Sequence, residues 1–140
     1  MAEPDVRREM ERLVRDVLIG SPVARSLGIG LAEIAPDRVV LRLPFSPDNI
    51  TVGTIVHGGV IATLIDTAAA SASASGLVEM PRGAATSNMT ISYLAPADGT
   101  DLTAEAVVIR RGKRQTVEEV AVRGADGTLV ARALVTSQIF

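Results

Sequence analysis

The stretch Gly53 to Gly76, GTIVHGGVIATLIDTAAASASASG, decides the fold. It opens on the sole histidine of the chain, His57, followed by Gly58 and Gly59, and continues in apolar and small residues broken by one charge, Asp66. Ala and Leu favour helix, no proline interrupts, and Gly76 supplies a stop. Val60, Ile61, Leu64, Ile65 and Ala68 fall on one apolar stripe at helical period, a face made to pack on a sheet. Thr63, Asp66, Thr67, Ala70 and Ser73 form a second stripe of small or polar groups, which lets a ligand or another backbone come close.

The same stretch is near the roughly 20 residues that span a bilayer, but Asp66 alone would cost about 2.5–3.5 kcal/mol there. A buried helix of a soluble protein is the better reading. A carboxylate in such a helix must be paired, hydrogen-bonded or neutralised, which makes Asp66 the first candidate for chemistry. Capping a neighbouring turn, or ending at an interface, is an equally weighted alternative.

Working outward, 140 residues with 47% hydrophobic content imply one domain with a sizeable core. Cysteine is absent, which removes disulfides, thiolate nucleophiles and zinc–thiolate sites, and one histidine excludes a multi-histidine metal centre. A net charge of −2 with 2% aromatic residues gives no footprint for nucleic acid. The charged N-terminus lacks a signal-type apolar core, so a cytoplasmic protein is expected.

Val6, Met10, Leu13, Val14, Val17 and Leu18 predict an amphipathic N-terminal helix, with 1–22 as helix and linker and 23–140 as the main domain. Ser26–Ile34 and Arg38–Leu43 read as a hairpin turning at Pro36-Asp37, and Pro44–Asn49 as a loop into the central helix. Ala85–Leu94, Leu102–Arg110, Thr116–Arg123 and Leu129–Ile139 read as four further strands. The expectation is α+β, with one antiparallel sheet wrapped around one buried helix.

His57-Gly58-Gly59, Asp66 nine positions after the histidine, the strand end Tyr93-Leu94-Ala95-Pro96 and the turn Arg111-Gly112-Lys113-Arg114 together resemble the hotdog-fold thioesterases of the phenylacetic-acid-degradation (PaaI-like) type, from Val23 to Ile139. The resemblance implies an acyl-CoA thioester hydrolase, a homodimer or a tetramer of dimers, with sites between protomers. It implies Asp66 as general base or nucleophile, and the backbone N–H of Gly58 polarising the thioester carbonyl from the other subunit. No cofactor and no metal are implied.

The chemistry agrees with those roles. Thioester hydrolysis needs a group to activate water or attack, and donors for the developing oxyanion. Gly58 and Gly59 lie where a helix N-terminus exposes N–H groups, though a tight turn into the helix would use them equally well. Nine residues are two and a half helical turns, so His57 and Asp66 of one chain face opposite ways and a triad within one chain is disfavoured. That points to a site shared by two protomers, with His57 orienting the loop by hydrogen bonding in preference to proton transfer.

The family Asn, six residues before the histidine, falls here on Thr51, with Asn49 as the nearest amide; Thr86 aligns with a water-holding hydroxyl in the strand after the helix. Gly59, Thr63 and Thr67 are the substrate-side candidates of the helix, and Arg110, Arg111, Lys113 and Arg114 are candidates for the CoA phosphates, taken as a cluster. Each of these charges also serves simply to blunt a sheet edge. A hotdog dehydratase or hydratase and a non-catalytic acyl-CoA-binding module are the competing readings.

Overall fold

A computed structural model describes residues 3–140; Met1 and Ala2, the start of the expected N-terminal segment, lie outside the described residues. The element order is α1 (Glu3–Leu13), a π-helical turn (Val14–Leu18), α2 (Pro22–Leu27), β1 (Gly30–Ala35), β2 (Arg38–Leu43), a 3₁₀ turn (Pro47–Asn49), α3 (Gly58–Ser75), β3 (Ala84–Tyr93), β4 (Leu102–Arg111), β5 (Gln115–Gly124) and β6 (Leu129–Ile139). The six strands form one antiparallel sheet in the order β1-β2-β4-β5-β6-β3. The sheet wraps α3, the hotdog arrangement.

Alternation builds the core. Val39 and Leu41 of β2, Ala104 and Ala106 of β4, Val120 and Val122 of β5 are fully buried and face Leu64, Ile65, Ala68 and Ala72 of α3. Small residues on both sides let helix and sheet approach closely, so the second half of α3 is buried on nearly all faces, Ser71 to Ser75 included. Among the described residues no helix is long and apolar enough to cross a membrane.

The N-terminal region departs from the sequence reading. Ser26 and Leu27 belong to α2, not to a strand, and β1 begins only at Gly30. The local chemistry explains it: Ser21 caps α2 by accepting from Ala24 N–H, Pro22 sits in the first turn, and Gly28 closes the helix at φ 76°. The π turn before it is closed by Ile19 N–H donating to Val14 O at 2.8 Å. Met10 and Val14 are fully buried, so this segment packs as part of the domain.

Among the described residues β3 pairs only with β6 and leaves its other edge free over ten residues. Most of its residues are exposed. A long, unpaired edge of this kind is normally covered by something.

Candidate active site

The site is built on α3, and its first turn shows how. His57 is the N-cap, with extended backbone (φ −60°, ψ 132°), and its Nδ1 accepts from Gly59 N–H at 2.8 Å. An Nδ1 that accepts puts the ring proton on Nε2. Val60 and Ile61 N–H both donate to His57 O, at 3.0 and 3.1 Å. Gly58 N–H alone in this turn has no acceptor among the described residues, at the positive end of the helix dipole. His57 is therefore a cap and Gly58 the free donor.

Gly59 is glycine for a concrete reason: a Cβ there would meet the His57 ring at 2.9 Å. Tyr93, at the end of β3, lays its ring against Gly58 and donates from its hydroxyl to Gly58 O at 2.7 Å. His57 N–H donates to Asn49 O at 2.8 Å, which brings Asn49 beside the cap, while Thr51 is folded into a tight turn by its N–H bond to Ile55 O at 2.9 Å. An apolar cavity of about 320 Å³ opens at Gly58, walled by Ile61, Tyr93, Leu94 and Pro96.

Asp66 is half-buried two turns further along α3, and Thr86 of β3 donates its hydroxyl to Asp66 Oδ1 at 2.6 Å. At 1.5 Å per residue, Gly58 and Asp66 of one chain are about 12 Å apart along the helix. The chain thus carries two separate groups on α3: a free N–H with its cap, and a carboxylate with its hydroxyl partner. The free edge of β3 runs past both, from Thr86 to Tyr93.

The remaining sequence candidates fall in different places. Thr63 and Thr67 donate to the carbonyls of Gly59 and Thr63, at 3.0 and 2.8 Å, so their protons are committed to the helix backbone. Arg111 donates to Asp37 Oδ1 at 2.8 and 3.0 Å and to Ser73 O at 2.7 Å, stapling the β1–β2 turn to the C-terminal end of α3. Asp37 sits at φ 66°, and Gly76 is needed beside it because a Cβ would overlap Asp37 Oδ1 at 1.8 Å. Arg110, Lys113 and Arg114 make no ion pair among the described residues.

Three features escaped the sequence reading. Tyr93 was visible as part of the strand-end motif, but nothing in the sequence tied it to Gly58 O. Glu118 of β5 is fully buried; Thr116 Oγ1 donates to its Oε1 at 2.5 Å and Ser137 Oγ to its Oε2 at 3.4 Å. Burial pushes its carboxyl above the usual range, against the pull of those two bonds and of Arg111. Arg82, on the loop before β3, lines the groove beneath Met80 and Pro81.

A curved antiparallel sheet wrapped around a buried helix is the hotdog architecture. Comparison carries this further. Residues 53–131 match the thioesterase superfamily, and the chain belongs to it: it is a thioester hydrolase. Human acyl-coenzyme A thioesterase 13 is 30% identical, with 93% of this chain and 96% of that protein aligned. The crystal structure of a thioesterase family protein from Silicibacter pomeroyi superposes with a TM-score of 0.87 at 26% identity, covering 94% of this chain and 98% of that one. The E. coli PaaI protein shares the fold, with a TM-score of 0.84 at 23% identity over 96% of both chains.

Proposed function

We propose that the protein is an acyl-CoA thioesterase whose sites form between two copies, each joining Asp66 and Thr86 of one subunit to Gly58 of the partner subunit. The observation that carries this is the unpartnered Gly58 N–H, set about 12 Å along the helix from the one carboxylate able to act with it. The free edge of β3 beside both half-sites supports pairing with a second copy.

In the proposed reaction the thioester carbonyl oxygen accepts from the partner's Gly58 N–H, whose place at the helix N-terminus favours negative charge. Asp66 takes a proton from water, and the water oxygen attacks the carbonyl carbon. Thr86 holds Oδ1 and leaves Oδ2 for the water. The tetrahedral oxyanion collapses, the C–S bond breaks, and the CoA thiolate leaves with the proton returned by Asp66. His57 acts through Gly59 by fixing the first turn, and Asn49 holds His57 in turn. Lys113 and Arg114 are the proposed partners of the CoA phosphates, in the cytoplasm where such thioesters would meet the enzyme.

Free-thiol release from acyl-CoAs of short to long aliphatic and aryl type, run on the wild type and on Asp66→Asn, tests the proposal. Turnover on one class that collapses in the variant is expected. Full turnover by Asp66→Asn on every thioester cleaved by the wild type would sink the mechanism.

A further inference from the structure

The buried polar side chains of the described residues gather between the second half of α3, the start of β5 and the end of β6: Ser71, Ser73 and Ser75, Thr116 and Glu118, and Ser137. Glu118 is the one ionisable group among them, and the proposed hydrolysis makes no use of it. Thr116 Oγ1 donates to Glu118 Oε1 at 2.5 Å. That spends the one proton of Thr116, so the 2.7 Å contact between Ser73 and Thr116 has Ser73 as donor. A hydroxyl that is itself accepting donates more strongly. Ser137 Oγ holds Oε2 at only 3.4 Å. The two carboxyl oxygens are therefore unequal, and Oε2 is the one on which a proton settles.

Ser137 stands opposite Thr86 across β6 and β3, a placement that sets Cβ atoms about 4.5–5.5 Å apart. Both residues line one cavity of about 380 Å³. Thr86 gives its proton to Asp66 Oδ1 and keeps lone pairs of its own. While Glu118 is ionised, Ser137 donates to it and has no proton for Thr86. Once Oε2 is protonated, it donates to Ser137 Oγ, and the Ser137 proton turns to the Thr86 oxygen. Hydrogen bonds then run one way, from Glu118 through Ser137 and Thr86 to Asp66, each strengthening the next.

Few other charges bear on Glu118. α3 brings Asp66 alone and β3 none. On β4, Arg111 acts on Glu118 directly, while Glu105 and Arg110 are exposed. Glu119 of β5 pairs with Arg132 of β6, and Arg123 is exposed. Lys113 and Arg114 of the β4–β5 turn, and Arg12, Arg15 and Asp16 behind the cavity, are exposed too; Arg82 lines its far end. Burial lifts the Glu118 carboxyl against the pull of Arg111 and the two hydroxyls, so its ionisation falls at a higher pH than that of an ordinary carboxylate.

We propose that Glu118 is a positioning residue for the base Asp66, acting through Ser137 and Thr86, and that its protonation state sets how strongly Asp66 activates water. That role rests on the thioesterase reading above. Thr86 orients Asp66 in both states. With Glu118 protonated, the driven Thr86 bond draws charge from the Asp66 carboxylate and leaves Oδ2 the poorer base. With Glu118 ionised, that drive is gone and a second negative charge lies nearby, so both effects favour proton transfer from water. kcat should therefore gain about two- to fivefold as Glu118 ionises.

The pH profile of kcat, on the wild type, Glu118→Gln and Ser137→Ala, tests the link. In Glu118→Gln the amide nitrogen donates to Ser137 at every pH, so kcat should stay at the lower level without the added rise. In Ser137→Ala the carboxyl still titrates but the path is cut, so kcat should stay at the upper level. Two flat profiles at opposite levels are the expected result. A group that only held the fold would lower both variants alike and leave the shape of the profile intact. An added rise that survives in either variant would overturn the proposal. Ser137→Ala loses only a 3.4 Å bond, so the comparison stands on it alone if Glu118→Gln does not fold.

Carboxyl-carbon NMR on the full chain reads the same link without turnover. The Asp66 signal, identified by its loss in Asp66→Asn, should shift as Glu118 ionises in the wild type and not in the other two variants. That pattern in a protein that cleaves no thioester would uphold the link and remove the hydrolytic reading. An active enzyme whose Asp66 signal ignores Glu118 would do the reverse.

Discussion

Thr86 donates its hydroxyl to Oδ1 of Asp66 at 2.6 Å, joining β3 to the middle of α3. In the proposed reaction the bond leaves Oδ2 for the water. Asp66→Asn should lower kcat by about 10²–10⁴ and leave the melting temperature nearly unchanged. Thr86→Val, which keeps the shape and removes the donor, should cost about tenfold in kcat with little change in KM. Equal losses in melting temperature and activity would mean that the pair only holds the fold.

Gly58 lies at the first helical position, where proline is well tolerated, and His57 before it already has the extended backbone that a following proline demands. Gly58→Pro therefore deletes one N–H from a helix that should still form. We expect kcat to fall about 10²–10³ with a near wild-type melting temperature. Gly59→Ala should behave oppositely, forcing the His57 ring off its cap and lowering stability by about 1 kcal/mol. An active Gly58→Pro enzyme would rule out this N–H as the oxyanion donor.

If each site takes Asp66 from one copy and Gly58 from the other, two dead variants can repair each other. Equal amounts of Asp66→Asn and Gly58→Pro, unfolded together and refolded, should recover about a quarter of wild-type activity, since half the dimers are mixed and each mixed dimer has one intact site. No recovery from material shown to contain mixed dimers would place both groups within one chain.

Glu118 makes stability depend on pH in a fixed direction. Burial raises its folded-state pKa above the value near 4.3 of an unfolded chain, so the folded protein holds the proton more tightly. Its contribution to stability then falls as pH rises from about 4.3 through the raised value. Glu118→Gln removes this slope. The melting temperature of the variant relative to wild type should therefore climb between pH 4.5 and pH 8, and a constant or falling difference would contradict the assignment.

Arg111 is separated from its basic neighbours by its bonds to Asp37 and Ser73 O. Arg111→Ala should cost about 1–3 kcal/mol of stability, measured by urea unfolding. Lys113→Ala and Arg114→Ala should leave stability within about 0.5 kcal/mol and raise KM for the CoA thioester. The reverse pattern would return Arg111 to the ligand.

The central helix and the last strand were legible because each carries one unbroken period: α3 from Gly58 to a small-residue end, β6 from Leu129 to Ile139. α2 was not, since six residues give less than two turns of periodicity, and the Ser21-Pro22 start competes with the strand-like run that follows Gly28. Gly58 and Asp66 could be named from the motif, and helix rise alone sets their separation, but the free edge of β3 beside them depends on the placement of β3 beside β6, a long-range pairing no local pattern encodes. Glu118 occupies an inward position of an alternating strand, where a lone acid looks like a surface residue until Thr116 and Ser137 converge on it.

The helix that carries Asp66 is also the most enclosed element of the molecule, wrapped by the sheet and backed by α1. Enzymes that mount their reactive groups on loops can lose activity through local fraying long before they unfold. Here the carboxylate cannot leave its place unless the sheet comes away from the helix. Amide exchange along Leu64 to Ala72 should therefore report the global free energy of unfolding, and heat inactivation should track the cooperative melt.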